Sequence, residues 1–266
     1  MSGRRLRSRA ALLTAMAAIC ATLIAAALWV PDPGTGIETM PLASPGWPHL
    51  LGTDRLGRDV AHVTLSAAAY SVLWAAVVLV ASLLLGLLAA VISASWWKRW
   101  PDTVLLSFAD AIRSFPSLVL ALLFFTAGAP VNLILILYFW IPVWRVVRSQ
   151  LAAQRERPYV FVGQLSGHSK LRMLAVHALP NALRGFSAIV LLVFVEILSV
   201  QAGLEFLGFT VPLSRPTLGN VTSEALRLGG GFAWVWLPAA LVASTIAIGL
   251  VLIARTRLGG DKGGLE

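Results

Sequence analysis

From Val60 to Trp97 the chain has no aspartate, glutamate, lysine or arginine. A helix about 20 residues long already crosses the hydrocarbon core of a bilayer, and a helix bathed in water needs a polar face that this stretch lacks. Similar apolar runs recur along the 266 residues, so the pattern constrains the fold more than any motif does. The whole chain is 58% hydrophobic and 12% charged, with a mean hydropathy of +0.82. Soluble domains are nearer half apolar and a quarter charged. Few charges exclude a disordered chain, and a single cysteine excludes a disulfide scaffold. That cysteine, Cys20, lies inside the first apolar run and is given no redox role. The chain is read as all-α, a polytopic integral membrane protein with about six transmembrane helices.

The spans are expected at about 10–30, 64–95, 103–126, 132–147, 182–202 and 234–254, within one transmembrane domain over residues 1–266. The first follows Arg4, Arg5, Arg7 and Arg9 and ends in Ala25, Ala26 and Ala27, features that a signal peptide shares. Its length, and the spans that follow, favour a retained helix. Residues 31–62 hold five prolines (Pro31, Pro33, Pro41, Pro45, Pro48). Proline removes a donor and breaks the helical ladder, so this stretch is a polar excursion. A second polar loop covers 203–232, and the longest insert, 148–180, separates the fourth and fifth spans.

The net charge of +9 comes from bases gathered at the ends of apolar runs, without the aromatic interleaving that a nucleic-acid groove needs. With the N-terminus inside, sixteen lysines and arginines fall on inner segments and four on outer loops (Arg55, Arg58, Arg215, Arg227), while Arg113 lies within a span. Positive residues collect on the cytoplasmic side, so both termini are expected there, in the plasma (inner) membrane. Trp29, Trp47, Trp96, Trp97, Trp100, Trp234 and Trp236 stand near span ends, where belt residues anchor a helix.

The insert reads as two short helices on the inner face. Pro158 suits a first turn and Gly167 an end; Ser169 can cap a second helix that stops at Pro180. Local physics alone leaves two readings open, an element built to dock a partner and an amphipathic loop lying on headgroups.

Four segments resemble those of a known family. Leu51 to Asp59 (LGTDRLGRD) resembles the family's segment ahead of its second helix, and Ser114-Phe115-Pro116-Ser117-Leu118 its third-helix FPSL. The insert resembles the EAA loop, with the loop glycine at Gly167 and the terminal Leu-Pro at Leu179 and Pro180. Phe206-Leu207-Gly208, then Leu218-Gly219, resemble the SFLG and WG positions of the last outer loop. On these residues the chain resembles a DppC/OppC-type second permease of the dipeptide, oligopeptide and nickel ABC importers. The departures are local. Phe161-Val162-Gly163 stands where the loop's Glu-Ala-Ala would be, Gln201 where the fifth helix usually has glutamate, Glu205 at a small serine position, and the acidic tail is reduced to Gly259-Gly260-Asp261.

The resemblance implies the type I ABC importer permease fold and a role as one of two permeases around a central path. The partners it implies are a DppB/OppB-like second permease, a cytoplasmic ABC ATPase (one fused chain or two), an extracytoplasmic substrate-binding protein and membrane lipid. The insert would be the coupling helix that meets the ATPase, through Tyr159, Phe161, Val162, Gly163, Gly167, Leu179 and Pro180. The outer gate or binding-protein side would hold Asp54, Arg55, Arg58, Asp59 and Glu205. No Gly-x-x-x-x-Gly-Lys-Ser/Thr phosphate loop occurs in the chain, so ATP and magnesium would be bound by the ATPase; this chain is expected to hold no cofactor and catalyse nothing. Peptide is the expected cargo, and a nickel–chelator, opine, glutathione or haem cargo stays open.

Three charges, Asp110, Arg113 and Glu196, fall within apolar runs. An uncompensated charge at mid-bilayer costs about 2.5–3.5 kcal/mol on insertion scales, so each needs a partner or a wet cavity. Together with Gln201 they are the candidates for the translocation path or an ion pair. The four histidines (His49, His62, His168, His177) all lie outside the spans and lack a zinc-ligand spacing, so no metal site is expected. An intramembrane serine protease would want a histidine within a span, and an aspartyl type a second intramembrane aspartate beside Asp110. A sensor or scaffold would more often carry a folded soluble domain than an insert of about 30 residues.

Overall fold

A computed structural model describes residues 40–155, 157, 158, 160, 173–183, 186–209 and 215–260. The expected first span, 10–30, lies outside the described residues. The long helices are α1 (Val60–Ser95), α2 (Trp100–Arg113), α3 (Ser117–Thr126) and α4 (Val131–Arg155). A π-helical turn (Met173–Ala178) leads into α5 (Leu179–Ala182), followed by α6 (Phe186–Phe206), α7 (Leu218–Leu228), a 3-10 turn (Gly229–Phe232) and α8 (Ala233–Gly260). Among the described residues the β structure is one isolated bridge, Thr53 with Asp59. Among the described residues four helices (α1, α4, α6, α8) are long and apolar enough to cross a membrane, or five spans if the bent pair α2 and α3 counts as one.

Hydropathy suggests one unbroken run over 103–126, but the chain bends by 88° between α2 and α3. Pro116 is the cause, because it has no N–H to continue the ladder and stands as the N-cap of α3. Ser114 closes α2 by donating both its backbone N–H (3.0 Å) and its hydroxyl (2.8 Å) to the Asp110 carbonyl. A second departure is at Pro180, where the sequence suggests a stop. Pro180 instead sits in the first turn of α5, where its fixed φ suits the helical backbone.

The described residues divide into two compact units, one within Met1–Ala76 and Leu198–Ile253, the other within Val77–Ile197 and Ala254–Glu266. In the second, Ala89, Ala90 and Ala94 of α1 face Trp140, Ile141, Trp144, Val147 and Leu151 of α4. Lipid offers no hydrophobic drive between helices, so small residues on one helix admit large ones from the next and contact is gained by close approach. The buried Trp144 indole N–H donates to Ser93 Oγ at 3.0 Å. In the first turn of α2, Asp102 is buried and accepts from Arg148 Nε and Nη2 at 2.8 and 2.7 Å and from the Lys98 backbone N–H at 3.0 Å. The Arg148 guanidinium also lies 4.3 Å from the centre of the Trp97 ring, and Arg155 donates to the Ala94 carbonyl at 3.0 Å. In the first unit, Val63, Ala67 and Ala68 of α1 pack with Leu218 and Val221 of α7 and Ala239 and Ile246 of α8.

Gly86 marks a close approach of α1 and α4. A Cβ there would lie 2.6 Å from Val143 Cγ1 and 2.9 Å from the Trp140 carbonyl. In a free helix, alanine for glycine gains about 1 kcal/mol; overpacking a tight contact costs about 1–3 kcal/mol. The clash involves backbone, so it wins, and Gly86→Ala is expected to lower the melting temperature of the detergent-solubilised protein. An unchanged or higher value would show that the two helices part freely.

Candidate functional site

The segment before α1 is built almost entirely from its own polar groups. Thr53, fully buried, donates its hydroxyl to the Met40 carbonyl at 2.7 Å and accepts from the Ala43 N–H at 2.8 Å. Asp54 Oδ1 accepts the backbone N–H groups of Leu56 and Arg58 at 2.8 and 2.9 Å, while its Oδ2 accepts Arg58 Nε at 2.8 Å. Gly52 and Gly57 hold left-handed φ values of 74° and 73°; a Cβ on Gly52 would also lie 2.6 Å from the Ala43 carbonyl oxygen. Asp59 then caps α1, accepting from Ala61 and His62 N–H at 2.8 and 3.2 Å, and its Oδ2 lies 2.7 Å from His49 Nδ1. Partial burial pushes the Asp59 carboxyl up. The hydrogen bonds from His49 and from the His62 and Ala61 N–H groups, with the attraction of His49, outweigh it and hold the carboxyl below its ordinary value.

Gln201 and Glu205, one helical turn apart on α6, are both buried. Gln201 Nε2 donates to Glu205 Oε1 at 2.9 Å, and Glu205 Oε2 accepts the Gly219 backbone N–H of α7 at 3.3 Å. Gly219 is required there: a Cβ would stand 2.4 Å from the Ala202 carbonyl and 2.6 Å from Glu205 Cβ. The Leu218 N–H donates to Ser71 Oγ of α1 at 3.0 Å, so α1, α6 and α7 are tied at one level. A cavity of about 250 Å3 opens beside Glu205, between α1, α6, α7 and α8. Gly208, in the left-handed region at φ 87°, ends α6, with Gly208 N–H donating to the Glu205 carbonyl and Phe209 N–H to the Leu204 carbonyl.

The charges within the apolar runs do not form one cluster. Arg113 Nη1 lies 4.0 Å from Glu196 Oε1, and its guanidinium is 5.0 Å from the Tyr138 ring centre. Asp110, three residues earlier, is bound by Arg145 of α4 instead. The side chains of Asp110, Arg145, Arg113 and Glu196 are 66%, 43%, 34% and 44% exposed, so this chain alone does not bury them. In the insert, Leu179 is half-buried and Pro180 exposed in α5; Tyr159, Phe161, Val162, Gly163 and Gly167 lie outside the described residues. Among the described residues no three of His, Cys, Asp and Glu converge as metal ligands.

A family model described as binding-protein-dependent transport system inner membrane component matches residues 82–258. The chain belongs to that family. It is therefore a permease component of an ABC importer and a multi-pass membrane protein. A protein of Brucella suis biovar 1 (strain 1330) named as a peptide transport system permease is 30% identical over 261 residues, 94% of this chain and 88% of that one. The oligopeptide transport system permease protein OppC of Lactococcus lactis subsp. lactis (strain IL1403) is 29% identical over 212 residues, 77% of this chain and 72% of that one. A chain of the MetNI methionine ABC transporter, solved in inward-facing conformations, shares the fold with a TM-score of 0.54 at 16% identity, over 75% of this chain and 94% of that one. The all-α, type I importer permease fold expected from the sequence is thus the one found.

Sequence reasoning missed Asp102 with Arg148, and Arg145 as the partner of Asp110. Counting bases by side treats Arg145 and Arg148 as loop charges; the available signal was that Arg145 lies inside the fourth apolar run and Arg148 directly after it. In the permease, a double-mutant cycle decides whether Arg113 and Glu196 interact. Arg113→Ala and Glu196→Ala are each expected to lower stability in detergent micelles, and the double variant by less than the summed losses. Strictly additive losses would show that the 4.0 Å separation carries no coupling.

The cap on α1 gives a pH dependence. Asp59 has a folded pKa below its ordinary value near 3.8. Its stabilisation is complete above that ordinary value and fades as pH falls through the lower folded value. Hydrogen-exchange protection of the Ala61 and His62 amides should fall over that acid range in the native permease and be flat in Asp59→Asn. Equal profiles would remove the carboxylate from the account.

Proposed function

We propose that this chain is the second, DppC/OppC-type permease of an ATP-driven importer that carries peptides across the plasma membrane. It works with a DppB/OppB-like permease, a cytoplasmic ABC ATPase that binds ATP and magnesium, and an extracytoplasmic binding protein. The observation that carries the reading is the agreement along 94% of the chain with a protein named for peptide transport. The distribution of bases supports cytoplasmic termini. That orientation puts the insert 148–180 on the ATPase side and the Leu51 to Asp59 segment on the binding-protein side.

The physics of the described residues fits a half-complex. Asp110, Arg113, Arg145 and Glu196 lie on membrane-depth helices with exposed side chains. Such charges face either another protein surface or water, because lipid does not solvate them. A second permease set against this face would enclose them beside an aqueous path. ATP binding would pull the insert, and α4 and α6 would carry that displacement toward the path. Loaded binding protein and ATP then favour the outward-open state by differential affinity.

Purification of the tagged chain from its native membrane in mild detergent, with gentle crosslinking, is expected to recover a second multi-span permease and a phosphate-loop ATPase. Reconstituted with its binding protein, the assembly should take up di- and oligopeptides only when ATP is supplied. An intact preparation with no ATPase, before and after crosslinking, would sink the coupling role. Uptake of a non-peptide cargo alone would keep the importer and reassign its substrate.

A further inference from the structure

The four arginines of the loops on the side opposite the proposed cytoplasmic termini come from three separate stretches of sequence. Arg55, Arg58, Arg215 and Arg227 nevertheless line one cavity, of about 400 Å3. The acids among its lining residues are Asp54 and Glu224. One of the arginines is committed to structure, since Arg58 binds Asp54 through Nε and Nη2 at 2.8 and 2.7 Å. The other contacts are looser. Glu224 is shared between Arg55 at 3.4 Å and Arg227 at 3.9 Å, both beyond the roughly 2.7–2.9 Å of a charge-assisted hydrogen bond. Those two side chains are 47% and 62% exposed, so their donors are presented to the solvent. The Arg215 guanidinium stands 5.7 Å from the centre of the Tyr70 ring.

Gathering four guanidiniums around one space raises repulsion, and placing bases on this side runs against the usual charge asymmetry of a membrane protein. A planar guanidinium fork matches a carboxylate or phosphate bidentately, and field lines from like charges at a concave surface focus on an anion. Val60, Val63 and Val235 also line the cavity, and its size lies in the range of small-molecule sites. We propose that this cavity binds an oxyanion attached to a small apolar body, with Arg55 and Arg227 as the movable ligands and Glu224 as the counter-charge that the anion displaces. Two sources present that chemistry, the terminal carboxylate of a peptide and the phosphate of a lipid headgroup. The peptide source rests on the transport reading above; the oxyanion site does not.

The test uses the assembled permease–ATPase complex without its binding protein, in a maltoside detergent that contains no phosphate. The probes are fluorescent Ala-Phe with a free carboxylate, the same dipeptide as its C-terminal amide, and short-chain phosphatidylglycerol. At least one oxyanion probe is expected to bind, about tenfold more weakly in Arg55→Gln with Arg227→Gln, as loss of a hydrogen bond to a charged group implies. Glu224→Gln should tighten the same probe. Because the two changes act in opposite directions, a general loss of folding cannot imitate them. Preference for free carboxylate over amide identifies the peptide end, and displacement by phosphatidylglycerol with no such preference identifies the lipid. Binding that ignores all three substitutions, or no binding of any oxyanion, overturns the site. Peptide uptake is measured separately: failed uptake with arginine-dependent binding sinks the transport reading alone, and normal uptake without such binding sinks the site alone.

Discussion

Inside hydrocarbon, every polar group must find its partner within protein, because lipid supplies neither donor nor acceptor. Much of this permease follows from that constraint. Helices satisfy their own backbones, so what remains is to settle the few side chains and helix ends that cannot. Asp102 meets Arg148, Asp110 meets Arg145, Trp144 meets Ser93, and Gln201 meets Glu205. The first three fix one element against another more sharply than apolar packing could, since a polar pair has one good geometry and an alanine-lined seam has many; the fourth sets Glu205 along its own helix, where its other oxygen meets the Gly219 N–H of α7. The exposed charges of the α2, α4 and α6 faces follow the same rule at the next level, where the partner is another chain or water.

The segment before α1 meets the constraint differently. It lies where prolines forbid regular structure, and its donors and acceptors are satisfied by side chains folded back on the chain. Thr53 bridges residues ten and thirteen positions away, Asp54 binds its own turn, and Asp59 closes the helix end. These are the residues of the family-like LGTDRLGRD run. Their geometry accounts for most of that pattern as a self-supporting turn. Arg55, exposed and turned to the cavity, belongs to a different purpose.

What was legible in the sequence follows from what each signal measures. Hydropathy reports the length of an apolar run, so α1, α4, α6 and α8 stand out. It averages over direction, so it passes straight through Ser114-Phe115-Pro116, although the proline that ends one helix was in plain view. Charge counting reports side, and gives no distance between residues far apart in the chain. The meeting of Asp102 with Arg148, 46 positions on, and the convergence of Arg55 with Glu224, 169 positions on, are products of packing. The resemblance to importer permeases implied roles for Leu179, Pro180 and Glu205, which are expectations of sequence alone. It did not show that Gln201 and Glu205 would share one hydrogen-bonded pair.

The bend between α2 and α3 has a mechanical meaning. A straight helix is a rod: a push at one end arrives at the other as the same push. Two helices set at 88° through a residue with no backbone donor form an elbow instead. At ten residues α3 rises only about 15 Å, half the hydrocarbon thickness. A displacement along α2 would therefore reach α3 as a turning moment about the joint and not as the same push. Such a lever can widen or narrow a passage without either helix sliding through the bilayer.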